Sequence, residues 1–222
     1  MAVSTARTNG ERFYIIGFGG EYVLGPDAKP GIVSHHNEII VPAAAELNGA
    51  FEAHRAADID VDDATGVVGV SDKGLDDICE RIDLTVRLNF GDAAVEELHA
   101  AWGHRTRSQL VILPHLRQVD ALDNFVLRLP GVKLFTLDPA LVAELKLAID
   151  ALRDAVGRKQ RAITVRAGCA ARLSEAAAAF DAAWSRMVKY ATFVLGAEVG
   201  LYVPDLSDFR RKRKTAEVGE EG

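Results

Sequence analysis

The sequence predicts an α+β fold: a small front domain with a mainly antiparallel sheet, followed by one very long helix or an antiparallel helical hairpin. Three stretches carry that prediction. Ile82 to Phe90 alternates apolar and polar residues strictly, the pattern of a strand with one buried and one wet face, and half-solvated alternation is typical of antiparallel sheets. Arg12 to Phe18 is rich in aromatic and β-branched residues and is stopped by glycine, as a strand would be. Asp138 to Ala197 holds the longest unbroken apolar rhythm in the chain. The predicted domains are therefore 1–137 (α+β), 138–200 (long helix or hairpin) and 201–222 (an extended return and a charged flexible tail).

Taken in order, the first strand runs into Gly17-Phe18-Gly19-Gly20. A dinucleotide fingerprint would need glycine where Tyr22 stands and a helix immediately after, whereas Gly25-Pro26 and Pro30-Gly31 break the chain, so a turn is expected. Gly25 to Asn37 reads as a long loop ending in His35-His36-Asn37-Glu38. Glu38 to Val41 reads as a short strand, and Pro42 as the first residue of a helix carrying Leu47, Phe51 and His54. The acidic run Asp58 to Asp63 has the alternating aspartates that open a calcium loop, but Asp63 and Gly69 occupy the positions that need glycine and glutamate; a solvated turn is expected. Gly66 to Val70 reads as a buried strand and Gly74 to Glu80 as a turn or two of helix.

Beyond the alternating strand, Asp92 is placed to cap a helix through Val95, Leu98 and Trp102 that Gly103 ends. Gln109 to Leu113 reads as a strand stopped by Pro114, with a kinked helix as the alternative. Val119, Leu122, Phe125, Val126 and Leu129 have helical spacing before Pro130-Gly131, and Val132 to Leu137 leads extended into the long helix. Asp138 is a good N-cap, Pro139 suits the first helical position, and Leu137 and Val142 are spaced as a hydrophobic staple. The seam then continues through Leu145, Ile149, Leu152, Val156, Ile163, Ala170, Leu173, Ala177, Phe180, Trp184, Met187, Ala191 and Val194, with Lys159 and Arg166 as interruptions. Gly157 is where a hairpin would fold back.

Composition narrows the class. The chain has 222 residues, 49% of them hydrophobic, enough for a real core. A formal net charge of −6 argues against overall attraction to nucleic acid or anionic membranes. No run of about 18 apolar residues and no apolar leader segment is visible, so neither a membrane partner nor a cleaved signal is expected. Cys79 and Cys169 read as reduced, buried thiols, which fits a cytoplasmic protein.

Chemical motifs are sparse. Glu96 and His99 make one E-x-x-H, but bundle metal sites need two such pairs with further carboxylates, so no metal and no cofactor are expected. No G-x-S-x-G elbow occurs. Arg210, Arg211, Lys212, Arg213 and Lys214 form a basic run suited to polyanions such as nucleic acid, which Glu217, Glu220 and Glu221 partly cancel.

The expected function is that of a non-enzymatic structural or assembly protein, a homo-oligomer that self-associates through its C-terminal helix. A helix of about 87 Å, at ~1.5 Å per residue, outreaches a front domain of about 37 Å. That leaves Leu173, Phe180, Trp184, Met187 and Val194 in need of a partner. The alternative is a small cytoplasmic enzyme or ligand-binding protein with its site in the Gly17–Glu38 region, where His35, His36 and Glu38 are the candidate catalytic residues.

Overall fold

A computed structural model describes residues 8–23, 29–204 and 206 of the chain. Among them there is no strand. The α+β expectation is thereby corrected to an all-helical protein. The described residues include the α-helices α1 (Asn9–Phe18), α2 (Pro30–Phe90), α3 (Asp92–Ala101), α4 (Arg107–Val111), α5 (His115–Arg128) and α6 (Pro139–Leu195). They also include a π-helical turn at Gly19–Val23 and short 3-10 turns at Leu129–Gly131 and Gly196–Leu201.

Each strand expectation fails for a local reason. Arg12–Phe18 lies in α1, whose N-cap Thr8 accepts a hydrogen bond from the Glu11 amide at 3.2 Å. There Ile15 is fully buried while Phe13 and Ile16 pack beside it, a helical stripe and not two sheet faces. The loop expected at Gly25–Asn37 is helical from Pro30, the first residue of α2. Helix α2 continues through Pro42, which forgoes one backbone hydrogen bond, and through the expected strands Glu38–Val41 and Gly66–Val70 and the expected acidic turn Asp58–Asp63.

Ile82–Phe90 also belongs to α2. Its inner positions Ile82 and Val86, one turn apart, are fully buried with Leu75 and Cys79. Leu84 and Leu88, also one turn apart, face water on the opposite side. Two apolar faces of one helix thus wrote an alternation with the period of a strand. Gln109–Leu113 is not a strand either: Thr106 and Gln109 form a reciprocal capping box that starts α4. Gly200–Pro204, expected to be extended, begins in a 3-10 turn.

The other helix expectations hold in part: Gly91 and not Asp92 is the N-cap of α3, without a side-chain cap bond, and Pro42 and Gly74–Glu80 lie inside α2 and do not bound separate helices. Helix α5 contains the predicted Val119, Leu122 and Phe125, all buried. Helix α3 ends before Gly103, which takes φ 74°, a left-handed conformation that suits glycine. Helix α6 is one continuous helix through Gly157 and Gly168, so no hairpin interrupts it. Asp138 Oδ1 caps it by accepting from the Ala140 amide at 2.8 Å.

The chain divides into two compact units, Met1–Ala56 with Ala167–Gly222, and Ala57–Arg166. In the first unit, Ile15 of α1 and Ile32, Ile40, Ala44 and Leu47 of α2 pack with Ala177, Phe180, Trp184, Met187, Ala191 and Leu195 of α6. In the second, Val68, Leu75, Cys79, Ile82 and Val86 of α2 share a core with Leu98 and Trp102, Leu110, Leu122 and Phe125, and Leu145, Ile149 and Leu152 of α6. Within this second unit Asp58 faces Arg166 at 3.7 Å and Arg81 faces Glu144 at 2.6 Å, so α2 and α6 run antiparallel. Between Ala155 and Ala176, α6 has no buried residue.

Candidate functional site

His35, His36 and Glu38 do not converge. Successive helical residues point about 100° apart, and here each finds a different environment. His35 is half-buried and lies over the ring of Tyr190, centroid to centroid 4.0 Å. His36 is buried, and neither ring nitrogen has a hydrogen-bond partner. A Cβ placed on Gly19 would lie only 2.6 Å from His36 Nε2, so the first π-helical residue is tightly apposed to the imidazole. Burial holds the His36 pKa below the usual histidine range, and Asn37 offsets a small part of this without reaching bonding geometry. Glu38 is exposed and accepts a hydrogen bond from Ser34 Oγ at 3.0 Å.

Three of the five seam residues of α6 are buried within the chain. Phe180, Trp184 and Met187 are buried in the first unit, Leu173 is half-buried at its margin, and Val194 is exposed. The burial of Phe180, Trp184 and Met187 needs no second copy. Arg12 fastens α1 across the same stretch, donating from Nε to Asp181 Oδ1 at 2.9 Å and from Nη2 to Oδ2 at 2.6 Å. The basic run Arg210 to Lys214 lies outside the described residues.

A polar ladder in the second unit was missed by sequence reasoning. Asp72, Asp76 and Glu80 rise one turn apart on α2. His115 Nε2 stands 3.7 Å from Asp72, Gln118 Nε2 donates to Asp76 at 2.8 Å, and Arg107 meets Glu80 at 2.8 Å. Gln118 is completely buried and its Oε1 has no partner. Burial raises the Asp76 pKa, with the Gln118 bond working against it. The neighbouring Cys79 thiol is pushed up to about 12, chiefly by burial, so at neutral pH it is a protonated core residue and not a nucleophile. The i, i+4, i+8 signal was there to be read, but glycine-rich Gly66–Gly74 suggested strand and turn instead.

Among the described residues no three His, Cys, Asp or Glu side chains come together as metal ligands. Glu96 and His99 sit on α3, with His99 Nε2 3.9 Å from Asp83. No helix among the described residues is long and apolar enough to cross a membrane.

What the helices do carry outward is large apolar side chains. Among these are Ile59 (54% exposed), Val70 (76%), Leu84 (46%) and Leu88 (79%) on α2, and Leu147 (71%), Val165 (56%) and Phe193 (88%) on α6. The chain matches no protein-family model, no curated protein and no solved structure.

Proposed function

We propose that the chain is a non-enzymatic structural protein that works by self-association through outward-facing sides of its long helices. The observation that carries this reading is the exposure of Val70, Leu88 and Phe193, each more than three-quarters open to water. A large apolar side chain in water forgoes roughly 1.5–3 kcal/mol that burial would return, and apolar residues grouped on one surface mark interaction sites. The self-association expected from sequence is thereby moved from the α6 seam, whose Phe180, Trp184 and Met187 are already covered, to outer helix faces. Light scattering across a concentration series of the purified protein, with negative-stain microscopy of the same samples, tests the reading. A mass that rises with concentration supports it, and a compact monomer at the highest concentration reached overturns it.

A further inference from the structure

Four of the exposed apolar residues of α2 in the second unit share one line, Val67 and Phe90 lying off it. At about 100° per residue, Ile59, Val70, Leu84 and Leu88 fall within about 40° of one another around the helix. They lie diametrically opposite the buried Val61, Val68, Leu75, Cys79, Ile82 and Val86. Along this outer ridge, Val70, Gly74, Asp77, Arg81, Leu84 and Leu88 follow one another at spacings of four, three, four, three and four, the seam of a coiled coil. All of them are exposed.

From these residues we infer that the ridge Val70–Leu88 is the surface on which a second copy of this chain docks, antiparallel, about a twofold axis level with Cys79. The inference rests on the self-association proposed above and names its surface. Read from its two ends, the ridge is complementary to itself. An antiparallel copy brings Asp77 to the partner's Arg81 and Arg81 to the partner's Asp77, two identical ion pairs astride the axis. The same register brings Val70 to the partner's Leu88 and Gly74 to the partner's Leu84. A closed twofold interface requires this reciprocity, each residue meeting its counterpart in both directions. A parallel pair would set Asp77 against the partner's Asp77 and Arg81 against the partner's Arg81, and like charges face to face exclude it.

Local structure supports the fit. A Cβ built on Gly74 meets nothing within 4 Å, so the helix surface there is a shallow hole able to receive a leucine. Arg81 binds Glu144 through Nη1 at 2.6 Å with its side chain 56% exposed, which leaves guanidinium donors for a second carboxylate. The ridge is about 27 Å long at ~1.5 Å per residue and about 10 Å wide. That is less than the roughly 800 Å² per partner of a standard interface, so the dimer is reversible and concentration-dependent.

Disulfide trapping of the full-length protein in a Cys169→Ser background tests the register. Gly74→Cys combined with Leu84→Cys cannot close within one chain, because ten helical residues separate the two by about 15 Å. Mild oxidation is expected to yield a covalent dimer of this variant, and none from Gly74→Cys with Leu88→Cys, whose positions are out of register. Asp77→Arg alone is expected to weaken dimerisation about tenfold or more, and Asp77→Arg with Arg81→Asp to restore it, with helicity by circular dichroism unchanged. A wild-type oligomer that neither traps at 74 and 84 nor responds to the charge exchange overturns the ridge assignment and leaves self-association standing. A wild-type chain that stays monomeric overturns both.

Discussion

Arg12 grips both carboxylate oxygens of Asp181, joining α1 to α6 across 169 positions of sequence. The Arg12 side chain is only 13% exposed, and a paired, two-pronged guanidinium–carboxylate contact is among the stronger polar interactions. Arg12→Ala is expected to lower stability by about 1–2 kcal/mol, read as a shift in the urea midpoint. Asp181→Asn should cost less, because one amide oxygen still accepts from the guanidinium.

Acid should loosen the first unit through His36. Its folded pKa is depressed by burial, whereas the unfolded value is about 6.5. The unfolded chain therefore takes up a proton at a higher pH than the native one. Stability is lost as pH falls below about 6.5, and the loss levels off only beneath the folded pKa. His36→Leu should flatten the stability profile between about pH 7 and pH 5, where wild type slopes downward. Gly19→Ala, which sets a methyl group against the imidazole, should destabilise by about 1–3 kcal/mol at neutral pH.

The two cysteines should differ sharply in reactivity. Cys79 is fully buried with its thiol pushed up to about 12, and Cys169 is half-buried. Maleimide applied to the native protein is expected to modify Cys169 alone. Peptide mass mapping that finds Cys79 labelled at a comparable rate would show the second core opening far more readily than its packing implies.

Helix α6 should not be uniformly protected. Residues 156–175 contain no buried side chain, whereas the flanking stretches hold Leu145, Ile149 and Leu152 on one side and Phe180, Trp184 and Met187 on the other. Amide exchange should be faster across 156–175 than on either flank, because helical hydrogen bonds without packing open locally at low cost. Uniform protection along α6 would count against this.

The sequence announced the start of α6 well, because its cap and first-position proline agree with the apolar rhythm that follows, whereas Gly157 and the polar interruptions Lys159 and Arg166 left a hairpin as open as the single helix that forms. Helix α5 was readable from its apolar rhythm, with Val119, Leu122 and Phe125 at one spacing on one face. Helix α2 was not, since its inner face uses Leu75, Cys79, Ile82 and Val86 while its outer face also carries Val70, Leu84 and Leu88. Glycines at 66, 69 and 74 added the punctuation of strands and turns, and each costs a helix about 1 kcal/mol relative to alanine. Packing against α3, α4, α5 and α6 overrode that local preference. The candidate residues fared unevenly as well: adjacency suggested that His35 and His36 work together, and helix geometry points them apart.

The order in which residues leave the ribosome bears on the two cores differently. Everything that covers Leu75 to Val86 lies between Ala57 and Arg166, whereas Ile40 waits for Phe180, about 140 residues later in the chain. The segment made earlier is thus covered later. During synthesis Ile32, Ile40 and Leu47 are left without their α6 partners until Leu195 has emerged, and closing so long a loop slows the step further. A nascent chain halted before α6 is complete would hold a formed second core and an open first one, the state in which a chaperone or a protease would meet it.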